Sequence, residues 1–162
     1  MGSLRMITYT DILEKMKIVL VDDITLWEWC EINFNSSPKI FIGIDDRNPP
    51  GKKDCPLIIL RPSSAGAEIG QEQSPHIYKV LVDWAILDET VNANDNLVEY
   101  QGVYEADNMG QLIWQALKSF SDNVSLSRSN YILEPISYFP MIVGGMDLEI
   151  IVPNVIGAEI TL

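Results

Sequence analysis

Histidine and cysteine are almost absent from the sequence, which narrows the chemistry that the chain can support. The only histidine, His76, follows Pro75 at a loop-to-strand junction, and no nucleophile or carboxylate can be assigned to it as a catalytic partner. A surface histidine is the simpler interpretation. The two cysteines, Cys30 and Cys55, are far apart and have no further His or Cys at metal-ligand spacing. A disulfide framework and a structural zinc site are therefore excluded, and we expect both thiols to be reduced and half-buried in a cytoplasmic protein.

Basic residues are also scarce. The sequence has 11 Lys and Arg residues and 23 Asp and Glu residues, which gives a net charge of −12. Such a surface repels phosphates, so binding of DNA or RNA through a basic patch is excluded. A pore through which DNA slides remains compatible with this charge, because a negative wall prevents the DNA from adhering.

Long apolar runs and catalytic motifs are missing as well. No segment approaches the length of a transmembrane helix, and the N-terminus lacks the hydrophobic region of a signal peptide. Neither a nucleophile elbow, a phosphate-binding loop nor a dinucleotide fingerprint is present. The acidic pairs could hold a divalent cation, but in so acidic a chain they are typical of a solvated surface. We therefore predict no enzyme, metal or cofactor; the pairs are Asp22 with Asp23, Asp45 with Asp46, and Asp147 with Glu149.

What the chain does have is enough length and apolar content for one folded unit. Its 162 residues, 47% of them hydrophobic, are typical of a single globular domain spanning residues 1–162. Residues 1–5 are expected to lie outside the fold, because Met1-Gly2-Ser3 is typical of a cloning remnant and Met6 is a candidate native start. The apolar tail at 155–162 is expected to pack on a neighbour or at a sheet edge.

Residues 76–87 carry the clearest strand pattern. Aromatic and β-branched residues occupy every second position and predict one buried face; they are Tyr78, Val80, Val82, Trp84 and Ile86. The opposite face mixes Lys79 and Asp83 with Leu81 and Ala85. That second face is too apolar to be fully solvated and too charged to be a second core, as expected for a subunit contact or a sheltered surface.

The N-terminal half predicts two helices and a hairpin. Helical spacing after Asp11, with Glu14 in a capping-box position, predicts a helix over residues 10–20. Residues 22–32 fit a strand or a helix, and we favour a short helix after Asp23. Residues 39–44 and 57–60 are predicted to form a hairpin whose long tip is the polar loop 45–54, followed by an exposed loop at 62–75.

The C-terminal half predicts one strong helix and two strands. Residues 88–96 have the composition of a turn, and an apolar stripe predicts an amphipathic helix over 108–120 that covers the buried face of strand 76–87. Trp114 lies at the edge of that stripe, where it either wraps over the sheet rim or meets another subunit. Strands are predicted at 131–138, broken at Pro135, and at 146–152. The predicted fold class is α+β: a mostly antiparallel sheet with a long central strand, packed by the amphipathic helix and the N-terminal helices.

The order of these segments resembles the small tail-terminator and tail-completion proteins of long-tailed phages and prophages. The likeness covers residues 39–154, and its most telling parts are the Tyr-Phe-Pro turn at 138–140 and the alternating strand after it. The segments that carry it are KIFIGIDDRNPPGKKDCPLIIL, HIYKVLVDWAILDE, EADNMGQLIWQALKSF and EPISYFPMIVGGMDLEIIVPN. The Trp27 and Trp29 segment departs from the family pattern and leaves the docking of the first helices open.

The resemblance implies a structural role without catalytic residues. Family members form rings, usually of six copies, at the head-proximal end of the tail tube, where they stop tube growth and meet the head connector. The implied partners are further copies of the chain, tail-tube and head-connector proteins, and DNA only in passage, with no membrane. The implied location is the host cytoplasm during assembly and then the virion tail.

Two sets of residues are candidates for that role. The loop bearing Asp45 and Asp46 is a candidate for the ring lumen. Trp114 and the mixed strand face with Lys79, Leu81 and Asp83 are candidates for the subunit interface. Alternative functions are a head-tail connector or another minor tail protein, a non-phage oligomeric binding module, and an enzyme that uses a carboxylate pair and a metal.

Overall fold

In the part of the chain that the structure describes, the fold is α+β, with three helices, a five-stranded sheet and a separate two-stranded sheet. The computed structural model describes residues 7–66, 76–120, 124–134 and 137–152. The helices are α1 (Tyr9–Asp22), α2 (Ile24–Phe34) and α3 (Gln101–Lys118), and one 3₁₀ turn spans Lys52–Asp54. The strands are β1 (Lys39–Ile42), β2 (Leu57–Gly66), β3 (His76–Leu87), β4 (Val91–Asn94), β5 (Leu97–Tyr100), β6 (Ser125–Glu134) and β7 (Met141–Val152).

The main sheet has the strand order β1-β2-β3-β7-β6, so the long strand β3 is central, as the sequence predicts. β3 pairs with β7 in antiparallel register along its whole length, from His76 opposite Val152 to Leu87 opposite Met141. The pairings β2–β3 and β6–β7 are also antiparallel. The mostly antiparallel sheet of the sequence prediction is thereby confirmed.

The core lies between the sheet and the helices. Side chains on one face of β3 and β7 are buried, in strict alternation along β7, and α3 packs across both strands with its apolar stripe. Trp84 is fully buried at the centre, where its Nε1 donates a hydrogen bond of 2.7 Å to the carbonyl of Ala106. The indole fits because Gly110 of α3 and Gly144 of β7 leave it room: a methyl group built on either would come within 2.3 Å of the ring.

The two N-terminal helices begin at well-formed caps. Thr8 and Asp11 form a reciprocal capping box at the start of α1, so the cap lies three residues before the one predicted from Asp11 and Glu14. Asp23 caps α2 by accepting the Leu26 N–H at 2.8 Å. That bond favours the helical alternative for residues 24–34, and the short helix preferred from the sequence is confirmed.

The predicted hairpin of residues 39–44 and 57–60 is wrong. β1 and β2 pair in parallel, with Lys39 opposite Leu57 and Ile42 opposite Leu60. The polar segment between them is therefore a crossover that returns along the length of β1, and not a hairpin tip. Its end is held by Lys39, whose ammonium donates to Asp54 at 2.8 Å.

Several other predicted boundaries also differ from the structure. Residues 91–94 and 97–100 form a hairpin where a turn was expected, and α3 begins at Gln101 instead of residue 108. β2 continues through Pro62, where the register shifts because proline cannot donate to the ladder. β6 ends at Glu134, whereas the predicted strand extended over residues 131–138. β7 starts at Met141, five residues before the predicted start at residue 146. The predictions for residues 1–5, 67–75, Pro135 and 155–162 lie outside the described residues.

Candidate assembly surfaces

The main sheet presents one face away from the helices, and three of the predicted interface residues lie on it. Lys79, Leu81 and Asp83 follow one another on this side of β3, opposite the face that carries Val80, Val82 and Trp84. We call this side the open face. That these three residues share a face could be predicted from the sequence, because side chains alternate between the two faces of a strand.

Among the described residues, two ion pairs lie on the open face. The Arg61 guanidinium donates to Asp83 through Nε at 2.9 Å and Nη2 at 2.5 Å. Lys79 Nζ lies 3.5 Å from Glu149 on the neighbouring strand. Leu81 is half-buried between these two ion pairs. Its partner on β7 is Asp147, whose carboxylate accepts a hydrogen bond from Asn130 Nδ2 at 2.7 Å. Sequence reasoning missed Arg61, since its segment was expected to end the strand.

Trp114, the fourth predicted interface residue, lies on the helix side of the sheet and apart from the other three. It is half-buried against the core, and the Arg128 guanidinium lies 4.9 Å from the centre of its ring. The same guanidinium lies 5.1 Å from the ring of Tyr131, and Nη1 donates to Gln111 at 3.2 Å. These contacts place Trp114 at the rim between α3 and β6, one of the two positions that the sequence allowed.

We expect Trp114→Ala to lower the free energy of unfolding by about 2 kcal/mol, because it removes a half-buried indole and a cation–π contact. Urea unfolding would measure this. Trp114→Phe, which keeps an aromatic ring under Arg128, is the control and should lose less than half as much. A variant that unfolds like the wild type but associates more weakly would instead assign Trp114 to a subunit contact.

The loop bearing Asp45 and Asp46, predicted for the ring lumen, is of mixed charge. Asp45 accepts hydrogen bonds from Arg47 Nε at 3.0 Å and Nη2 at 3.2 Å, and the pKa of Asp45 is lowered chiefly by this contact. Asp46 is exposed beside it. Lys52 and Lys53 follow in the same connection, so its negative charge is partly offset, and a lumen position for the two aspartates stays a prediction.

A groove of about 650 Å³ lies between β1 and the crossover that follows it. Apolar side chains form much of its wall, among them Phe41, Ile42 and Pro49. The lining also contains Lys53, Asp45 and the ion pair of Lys39 with Asp54. The groove therefore combines apolar surface with two lysines and two aspartates.

Asp54 is a buried carboxylate in the lining of this groove, and we expect its titration to change the free energy of unfolding. Hydrogen bonds from Lys39 and then from the Gly51 N–H lower its pKa below the usual 3.8. A carboxyl with a lowered pKa stabilises the fold above its unfolded pKa, and this contribution is lost as the pH falls through the folded pKa. We expect Asp54→Asn to be less stable than the wild type at pH 6, with the difference shrinking below about pH 4.

Urea midpoints between pH 6 and pH 2.5 would test this expectation. Asp46→Asn, which removes an exposed carboxylate of the same connection, is the control and should follow the wild-type profile. A constant offset between Asp54→Asn and the wild type over the whole range would contradict a role for the ionised carboxylate.

A second exposed feature is the hairpin of β4 and β5, which sequence reasoning missed. Val91 pairs with Tyr100 and Ala93 with Val98, so these four side chains share one face of the hairpin. Val91, Val98 and Tyr100 are all exposed large hydrophobics. The ring of exposed Phe139 extends this apolar face, with its centre 5.3 Å from that of Tyr100. The pattern was present in the sequence as alternation on both sides of Asp95, which occupies the turn with φ of 47°.

The described residues contain no group of three or more His, Cys, Asp and Glu arranged to hold a metal. Both cysteines are free; Cys30 is buried and Cys55 is half-buried. Burial, and secondarily Glu31, raises the pKa of Cys30 to about 12, and burial with Asp54 raises that of Cys55 to about 11. Neither thiol is activated as a nucleophile at neutral pH. In the part of the chain that the structure describes, no helix is long and apolar enough to cross a membrane.

Neither the comparison with protein-family models nor the search of curated proteins finds a match to this chain.

Proposed function

We propose that the chain is a structural subunit of a long-tailed phage or prophage, a tail terminator that assembles with copies of itself into a ring. The observation that carries the proposal is the β4–β5 hairpin, which presents an apolar face to solvent. An isolated two-stranded hairpin is marginally stable in water, so one that also exposes Val91, Val98 and Tyr100 gains most from a partner.

The open face gives further support. The ion pairs of Arg61 with Asp83 and of Lys79 with Glu149 can stay intact when a neighbour covers this face, and Asp147 keeps its hydrogen bond from Asn130. The α+β fold, with one amphipathic helix across a long central strand, is the architecture that the resemblance to tail terminators implies.

In this function the chain acts by assembly and not by turnover. Head-to-tail contacts close after a fixed rotation, and the finished ring covers the growing end of the tail tube. The net charge of −12 suits a lumen through which DNA passes without adhering. Assembly takes place in the host cytoplasm, and the ring remains in the virion tail.

Light scattering after size separation, together with negative-stain images, tests the proposal. We expect a closed ring of about six copies, and we expect the ring to bind the end of a tail tube and stop its extension. A protein that stays monomeric at every concentration and ionic strength would contradict the proposal, as would a ring that leaves tube extension unchanged.

A further inference from the structure

Charge is distributed very unevenly along the chain. Residues 80–117, which include the hairpin, contain seven acidic residues and no basic one. Residues 39–61, which include the groove beside β1, contain five of the eleven basic residues and only three acidic ones. The two segments therefore differ in net charge, −7 against +2, although the lining of the groove itself holds Asp45 and Asp54 beside its two lysines. In a protein whose overall charge makes copies repel one another, this difference favours contact between the two segments.

The two features also match in having apolar surface. The hairpin offers an apolar face with Asp95 at its turn and Glu99 on its polar face. The groove offers apolar walls with Lys39 and Lys53 beside them. Among the described residues no strand pairs with the outer edge of β1, so a strand of the hairpin can add to the sheet there.

Register places both features at the same level of the sheet. Leu57 pairs with Lys39 on one side and with Ala85 on the other, so the basic end of the groove is level with the end of β3. The hairpin begins four residues after that end, at Val91. Copies related by rotation about an axis along the strands keep this level, so the difference in level does not prevent the hairpin of one copy from meeting the groove of the next.

We propose that the β4–β5 hairpin of one copy docks into the groove beside β1 of the next copy. The proposal rests on the self-assembly proposed above and names the two surfaces that meet. The contact is heterologous, since hairpin and groove are different surfaces. Each copy can therefore contact one neighbour through its hairpin and another through its groove. Lys39 and Lys53 then face the acidic hairpin, while Phe41, Ile42 and Pro49 cover its apolar face.

Charge reversal tests this pairing in the full chain. The donor variant carries Asp95→Lys and Glu99→Lys, and the acceptor variant carries Lys52→Glu and Lys53→Glu, which leaves the Lys39 ion pair intact. We expect each to associate at least about tenfold more weakly than the wild type at low ionic strength. A chain with all four changes should regain assembly, because the opposite charges face each other again. Lys15→Glu with Lys118→Glu, two lysines elsewhere, is the control for a change in net charge.

Light scattering measures the number of copies that associate for each variant, and thermal unfolding shows whether the variant is folded. Donor and acceptor variants that assemble like the wild type would overturn the pairing while leaving the ring intact. A fourfold variant that is folded yet stays dissociated would show that the two surfaces do not meet each other. A wild-type chain that is monomeric throughout would overturn both the pairing and the proposed function.

Discussion

Gly144→Ala is expected to lower the free energy of unfolding by about 3 kcal/mol. The added carbon would lie 2.2 Å from Cε2 and 2.3 Å from Cζ2 of Trp84. The indole has no room to retreat, because Gly110 bounds it from α3 and its Nε1 is bonded to Ala106. Overpacking must then be relieved by separating α3 from the sheet.

The neighbouring glycine provides the control. A methyl group on Gly145 points to the open face, where its nearest neighbours are Asp83 Oδ1 at 3.0 Å and the Val82 carbonyl at 3.9 Å. Gly145→Ala should therefore change the stability by less than about 1 kcal/mol. Urea unfolding at a single protein concentration measures both, since assembly would otherwise contribute. Equal losses at the two positions would show that the indole pocket adapts.

Val98→Ser is expected to weaken self-association by about 2 kcal/mol per contact, roughly thirtyfold, and to leave the isolated subunit folded. Val98 lies on the apolar face of the hairpin with Ala93, and its side chain is 55% exposed in the single chain. Removing it therefore costs the monomer little, whereas the contact loses apolar area that a partner would bury.

Leu97→Ser is the matched control on the same hairpin. Leu97 is 57% exposed, nearly the same as Val98, but it lies on the opposite face with Asn94. We expect a much smaller effect on association, measured as the concentration at which light scattering shows half of the chains assembled. Equal weakening by both substitutions would show that the hairpin is enclosed on both faces, and no effect from Val98→Ser would remove the hairpin from the interface.

The central part of the fold could be predicted from the sequence because its residue pattern allows a single solution. Aromatic and β-branched side chains at every second position of residues 76–87 are buried together only if the segment is a strand. The apolar stripe around Met109, Ile113 and Leu117 likewise matches the helical period, and those side chains are fully buried against that strand. Parallel pairing of β1 could not be predicted, since the 14 residues between β1 and β2 are enough for a crossover and also compatible with a long hairpin tip.

The candidate surfaces were predictable only in part. Lys79, Leu81 and Asp83 share a face by periodicity alone, but the ion-pair partners Arg61 and Glu149 depend on strand register, which a single sequence does not specify. The hairpin was missed because asparagines around Asp95 dominate the composition and are typical of a turn. The contact of Arg128 was not predicted, because serines at 125, 127 and 129 make the first half of β6 too polar to be recognised as a strand.

Because β3 pairs with β7, the subunit can complete its fold only after both strands have been synthesised. The central strand obtains one of its two neighbours from residues 57–66, which leave the ribosome just before it, and the other from residues 141–152, which leave it much later. Until then Trp84 lacks the Gly144 side of its pocket, and the strand keeps one edge unpaired. A chain interrupted before β7 cannot complete the sheet. In the function proposed above, only a copy synthesised through β7 could then take part in the ring.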